Sequence, residues 1–266
     1  MTSTIVLSVF DLSVASLLVI AMATCAHAMR LGIGSQLIIA GVRTTVQLLL
    51  VGLILKLLFA REQLAWTLLV AVVMLAVAGR EVVVRQTRRF IGPWNYGIGA
   101  AAMCISGFGT TCFALSVIVR PEPWFTPQYA IPLLGMLLGN TMTSVSLGLD
   151  RLTDASYRRR NVVETRLALG DEWFIAISEI RRDAIRVALM PMINAMAAAG
   201  VVSLPGMMTG QILAGAPPID AVKYQILIMF LIAGSTGGGA ILAVTVGARR
   251  LFDHRQRLRL DRVRSP

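Results

Sequence analysis

Residues 204–226 read LPGMMTGQILAGAPPIDAVKYQI, and this stretch decides how the chain is divided between membrane spans and the segments that join them. It is too apolar for an ordinary surface loop. Yet Pro205, Gly206, Gly210, Gly215, Pro217 and Pro218 interrupt it too often for a spanning helix. Outward from it the apolar residues come in long blocks: 185–203 before it, 224–247 after it, and 5–26, 34–59, 64–84, 96–119 and 129–149 upstream. A spanning helix needs about 20 mostly apolar residues. The sequence therefore predicts an all-α polytopic membrane protein with about seven transmembrane helices, forming one transmembrane domain over residues 1–266. Composition agrees, with 56% hydrophobic and only 15% charged residues, and excludes a soluble enzyme.

The net charge of +11 rests on 25 lysines and arginines, and their position matters more than their number. Seven spans put the termini on opposite sides. With the N-terminus outside, the inner segments hold Arg30, the group Arg80, Arg85, Arg88 and Arg89, every arginine from Arg151 to Arg186, and the tail from Arg249 to Arg264. Outside there are only Lys56, Arg61, Arg120 and Lys223, while Arg43 falls within the second span. This bias predicts an N-out, C-in orientation. The basic charge is topological, and no nucleic-acid partner is expected. The first block is too long for a secretory signal and lacks a basic start, because Arg30 is the first cation. Cys25, Cys104 and Cys112 all fall within predicted spans, so they read as packing residues rather than a disulfide framework.

The largest inner segment, about 150–184, carries dense charge of both signs and is long enough for two helices. Gly170 suits the residue just past the end of the first, and Asp171 and Glu172 suit the first turn of the second. Trp173, Ile177, Ile180 and Ala184 then recur with helical spacing as one apolar stripe. Two readings fit that stripe: burial against the chain's own spans, or docking of a cytosolic partner. A basic tail, 249–266, follows the last span.

Within the spans, Arg43 and Gln47 share a helix face and form, with Thr44 and Thr45, a polar patch. Arg43 can snorkel to the interface, pair with Glu81, or line a pathway. Asp11 and Lys56 can neutralise each other. The fifth span offers Gly135 and Gly139 as a close-approach face, with Met136 and Asn140 beside them. Asn194 lies in the sixth span, where Pro191 frees a carbonyl one turn earlier. Thirteen methionines include Met190, Met192, Met196, Met207 and Met208. Thioethers suit soft ions, but no His or Cys stands beside these, His27 and His254 are isolated, and the sequence assigns no metal ligand. The nucleotide loop G-x-x-x-x-G-K-[ST] is missing, since Lys56 and Lys223 are the only lysines and neither follows a glycine. No Ser/His/Asp set, paired-carboxylate site or zinc spacing is present either. The chain is expected to be no enzyme and to hold no cofactor of its own.

RTTVQLLLVG at 43–52, IPLLGMLLGNTM at 131–142 and LPGMMTGQILAGAPPIDAVKYQILIMF at 204–230 resemble the FetB-type permeases, membrane subunits of metal-exporting ABC transporters, to which plant aluminium-tolerance permeases are related. The likeness covers nearly the whole chain. It implies a homodimeric permease in the lipid of the plasma membrane (the bacterial inner membrane), exporting iron or another metal. It also implies a separate cytosolic ABC ATPase that carries the ATP and magnesium. For some plant relatives the implied cargo is a sugar nucleotide.

In ABC permeases a cytoplasmic coupling helix fits a groove on the ATPase, and importers mark it with E-A-A-x-x-x-G. Glu164 and Gly170 keep that spacing in ETRLALG, without the two alanines. The resemblance thus puts Glu164, Gly170, Asp171, Glu172 and Trp173 at the ATPase contact. The opening stretch then reads as a re-entrant element over about 204–218. Its residues Pro205, Gly206, Met207, Met208, Gly210, Gln211 and Gly215 form an outer gate, or alternatively a plug, over a cavity near the dimer axis. Arg43, Gln47, Glu81, Met136, Asn140 and Asn194 are the pathway candidates. Two rival readings are a self-sufficient secondary transporter coupled through Arg43, Glu81 and Asp11, and a membrane scaffold.

Overall fold

The computed structural model describes residues 8–60 and 63–264. They fall into two compact units, the residues up to 60 with Leu213–Gly215, and Gln63–Ile212 with the residues from Ala216 onward.

The first unit pairs α1 (Val9–Ala28) with α2 (Gly34–Phe59). Ser8 and Asp11 start α1 as a reciprocal capping box: the Asp11 carboxylate accepts from the Ser8 N–H at 2.8 Å and from its hydroxyl at 2.7 Å, while Ser8 Oγ accepts from the Asp11 N–H. The carboxylate read from sequence as a partner for Lys56 is therefore engaged locally, by the residue three positions before it. The two helices touch where they are smallest. A Cβ on Gly34 would lie 2.9 Å from the carbonyl oxygen of Ala23, and Ala23 and Ala26 are buried.

The second unit opens with α3 (Leu64–Val84) and a two-residue strand, β1 (Arg89–Phe90). A single helical run, Trp94–Val119, follows. It comprises α4 (Trp94–Met103), a π segment (Cys104–Phe108), α5 (Gly109–Phe113) and a second π segment (Ala114–Val119). Next come α6 (Pro127–Arg158), α7 (Arg160–Ala168), α8 (Trp173–Ala176), α9 (Ser178–Ala198), α10 (Gly206–Leu213) and α11 (Pro218–Arg250). A short 3₁₀ turn leads into β2 (Val263–Arg264), which pairs antiparallel with β1.

The two longest helices, α6 and α11, form the axis of this unit, with α3, α4 and α9 packed around them. Glycines set the approach. A Cβ on Gly239 of α11 would lie 2.5 Å from Thr141 Cγ2 and 2.8 Å from Ser106 Oγ, and one on Gly148 of α6 would lie 2.8 Å from Val244. Such contacts bring backbones together where no hydrophobic force between apolar helices would do so in lipid. The core between them is Val145, Leu149, Leu152, Ala243, Val244 and Ala248, all buried. Of the predicted close-approach pair, Gly135 meets Met74 of α3, whereas Gly139 faces open space.

Among the described residues six helices are long and apolar enough to cross a membrane, by length and composition: α1, α2, α3, the run 94–119, α6 and α11. The remaining expected span, 185–203, lies mostly in α9. That helix begins at Ser178, and SEIRRDAIR fills its first turns, so its apolar part is short. Three boundaries also move. α6 does not stop near 149 but continues to Arg158, because its inner turns pack on the core through Leu152 and Ala155. The inner segment holds α7, α8 and the start of α9, not two helices. Pro218, counted among the interruptions of 204–226, is the first residue of α11, where its missing N–H costs no helical bond. The apolar stripe has a definite destination: Ile177, Ile180 and Ala184 are in the core and Trp173 packs against it. Burial on the chain's own helices is the reading that holds.

Candidate functional site

The predicted coupling residues converge. α7 ends at Ala168 with Leu169 as its C-cap, Gly170 takes φ +99, and the Asp171 N–H donates to Arg166 O at 3.0 Å while the Gly170 N–H donates to Leu167 O at 3.1 Å. That is the Schellman closure, and it needs a residue free to adopt the left-handed conformation at Gly170. The turn opens α8, with Glu172 at its N-cap. Neither Asp171 nor Glu172 supplies a side-chain cap. The first N–H of the helix, on Trp173, is instead accepted by Gln256 Oε1 at 2.9 Å. A groove of about 530 Å³ results, with Glu164, Gly170, Asp171 and Glu172 on one wall and Arg255, Gln256, Arg257 and Leu258 on the other. Trp173 stands behind it, its ring 5.7 Å from that of Phe252 and under the Arg249 guanidinium.

Around this groove the arginines counted for topology prove to be structural. Arg151 donates to Asp183 at 2.7 Å, joining α6 to α9, and Arg166 to Glu179 at 2.6 Å, joining α7 to α9. Asp154 takes both Arg88 and Arg158, and the Arg88 guanidinium lies 3.7 Å from the Tyr157 ring centre. Asp150 accepts from the Thr87 N–H, and Thr153 donates to Arg88 O. Hydrogen bonding to Arg166 holds the Glu179 carboxyl below the usual carboxylate range. The backbone N–H of Arg257, followed by that of Arg255, does the same for Asp253, and Arg259 does so for Asp261.

The pathway candidates fall in both units. Arg43 and Gln47 are on α2 of the first unit, exposed within it, and Thr45 of the same patch bonds back to Gly41 O. Glu81 is on α3 of the second unit, part-buried. Asn140 turns its amide to Met136 O one turn earlier, at 2.8 Å, and Asn194 is exposed on α9. A polar layer that the sequence reading passed over lies deeper. Thr141 Oγ1 and Ser235 Oγ are 2.9 Å apart and fully buried between α6 and α11, beside Thr236 and Ser106. Its signal was the run GSTGGG at 234–239, together with Ser106 and Gly107 of the first π segment. Next to it an apolar groove of about 710 Å³ runs along Ser106, Gly109, Phe113, Phe230, Gly234 and Gly238.

The 204–218 segment contains a regular element. α10 covers Met207, Met208, Gly210 and Gln211, begins at Gly206 after Pro205, and has no buried residue. Gly215 turns the chain at φ +93, with the Ala216 N–H donating to Gln211 O. A Cβ on Gly206 or Gly210 would meet no described atom within 4 Å.

Comparison with known proteins bears on the whole chain. The Uncharacterised protein family (UPF0014) matches residues 9–252. A UPF0014 membrane protein of Synechocystis is 41% identical over 231 residues, covering 86% of this chain and 87% of its own. The Arabidopsis thaliana protein named ALUMINUM SENSITIVE 3 is 33% identical over 222 residues, covering 83% and 79%. The "Probable iron export permease protein FetB" of Escherichia coli is 29% identical over 248 residues, 93% of each chain. No solved structure matches. The motif resemblance is thereby borne out, and the chain belongs to the UPF0014 family of multi-pass membrane proteins.

Proposed function

We propose that this chain is the transmembrane subunit of an ATP-driven exporter, working as a homodimer with a separate cytosolic ABC ATPase that binds the ATP and magnesium. The observation that carries this reading is the groove at Gly170–Trp173. A small, rigid turn stands on the arginine-rich face of a chain without a nucleotide loop, and such a turn can pass force from a soluble engine to the spans. Iron or another metal is the proposed cargo, supported by the name of the Escherichia coli relative. The ATPase lies on the inner side under the N-out, C-in orientation, with α9 completing seven spans in the bacterial inner membrane. In the second unit Asn140, Met136 and Asn194 then face the pathway at the dimer axis, with Glu81 towards the inner end, and in the first unit Arg43 and Gln47 are the pathway candidates. The α10 segment is the outer gate.

Reconstitution tests it. Permease and co-purifying ATPase in sealed liposomes are expected to couple hydrolysis to metal export, and uphill transport by the permease alone overturns the reading. After removal of Cys25, Cys104 and Cys112, labelling of Thr209→Cys from outside is expected to change when nucleotide is trapped. Unchanged labelling makes α10 a plug.

A further inference from the structure

The sequence offered the tail only as positive charge, but its residues build a folded element. Phe252 and Leu258 bridge antiparallel across a tight turn. Asp253 Oδ1 accepts from the N–H groups of Arg255 and Arg257, both at 2.9 Å, and the Asp253 N–H donates to Arg257 O. Leu251 and Phe252 are in the core, and the Arg259 N–H returns to Leu251 O at 2.7 Å. Beyond the turn, Arg262 donates to the carbonyls of Arg250 and Phe252, and β2 joins β1. The hairpin is anchored on both sides, so what its tip touches is held in place.

That tip touches the coupling turn. α8 is four residues long and brings no capping side chain of its own, so its first N–H has no partner within its segment. Gln256 supplies the acceptor from 83 residues away in sequence. Gln256 itself sits at φ +60, a conformation uncommon for any residue but glycine. Glycine would adopt that conformation with less strain, but it carries no acceptor.

We propose that the C-terminal hairpin is a positioning element of the ATPase contact: Gln256 caps α8 from a distant part of the same chain and thereby fixes the turn at Gly170–Trp173 on which the ATPase seats. This rests on the reading of that turn as the ATPase contact. The tail and the turn act as one unit, so loosening the tail weakens coupling without touching the membrane spans.

Two measurements on Gln256→Ala test it. Amide hydrogen exchange on the full-length permease alone should be faster by about tenfold at Trp173 and over Gly170–Glu172, the size expected for one lost hydrogen bond. With the ATPase that co-purifies with the wild-type permease, stimulated hydrolysis should fall several-fold while the melting temperature and the assembled complex are retained. Gln256→Gly, which relieves the backbone strain and also lacks the acceptor, should behave like Gln256→Ala. Wild-type exchange in either variant, or full stimulation despite faster exchange, overturns the positioning role. A wild-type permease that stimulates no ATPase instead sinks the underlying reading of the turn, and this inference falls with it. A wild-type complex that works equally well with Gln256→Ala overturns the inference alone.

Discussion

The arginine-rich end of the second unit and the α10 segment are both short-helix regions outside the long spans, yet they are built in opposite ways. Around α7, α8 and the start of α9, the chain is tied by contacts between residues far apart in sequence: Arg151 to Asp183, Arg166 to Glu179, Gln256 to Trp173. In 204–218 the hydrogen bonds run between near neighbours, Thr209 to Pro205 and Ala216 to Gln211, and no residue of α10 is buried as a whole, although Gln211 Oε1 is shielded from solvent. The first arrangement transmits displacement, because moving one element drags its partners. The second leaves a segment that can shift without breaking a core. A coupling face and a gate need those two properties respectively.

The contrast can be tested most sharply with glycines. Gly239→Ala puts a methyl against Thr141 and Ser106, two short side chains that cannot swing clear, one of them hydrogen-bonded to Ser235. Overpacking of this kind costs about 1–3 kcal/mol, and thermal unfolding in detergent should show a clear drop. Asp183→Asn comes next. It weakens the link between α6 and α9 by about 1 kcal/mol, the scale of a half-exposed ion pair, and a double-mutant cycle with Arg151 should recover the coupling.

A smaller effect is expected from acid. The carboxyls of Glu179, Asp253 and Asp261 have folded values lowered by their partners. Their contribution is therefore fully present above the ordinary carboxylate range and is lost as pH falls through the lowered folded values. Hydrogen exchange, corrected for intrinsic rates, should show the tail and α7 loosening first on acidification. Residues 204–218 contain no ionisable side chain and should not respond through groups of their own. The smallest effect is expected for Gly210→Ala. It meets open space and removes a helix-weakening residue, so α10 should gain up to about 1 kcal/mol of local helix stability. If Asp183→Asn and Gly210→Ala behave alike, the contrast between the two regions fails; Gly239 belongs to neither and tests the crossing of α6 and α11.

Legibility followed the range of the interaction. Gly170 could be read as the residue past a helix end, because a Schellman closure involves only neighbours. The stripe Trp173, Ile177, Ile180 and Ala184 was legible as a face, but its burial partner was not. Asp11 was misassigned to a distant lysine although Ser8-x-x-Asp11 is itself a local capping signal. Pro218 was counted as an interruption although it begins α11, since proline suits both a break and a first turn. The Thr141–Ser235 layer was missed because each hydroxyl alone looks like ordinary helix glue. Only the crossing of α6 and α11 brings the two together.

By itself the sequence determined that this is a helical, multi-pass membrane protein, where its apolar blocks lie, and where along the chain the arginines cluster. Those properties depend on transfer of residues between water and lipid, which each segment settles on its own. The tertiary structure alone decided that the tail folds back as a hairpin, that Gln256 caps α8, and that Glu164 and Asp171 face Arg255 and Arg257 across one groove. Such pairings join groups separated by most of a hundred residues. Periodicity and composition carry no record of which distant donor meets which acceptor, and only the packing of the helices supplies it.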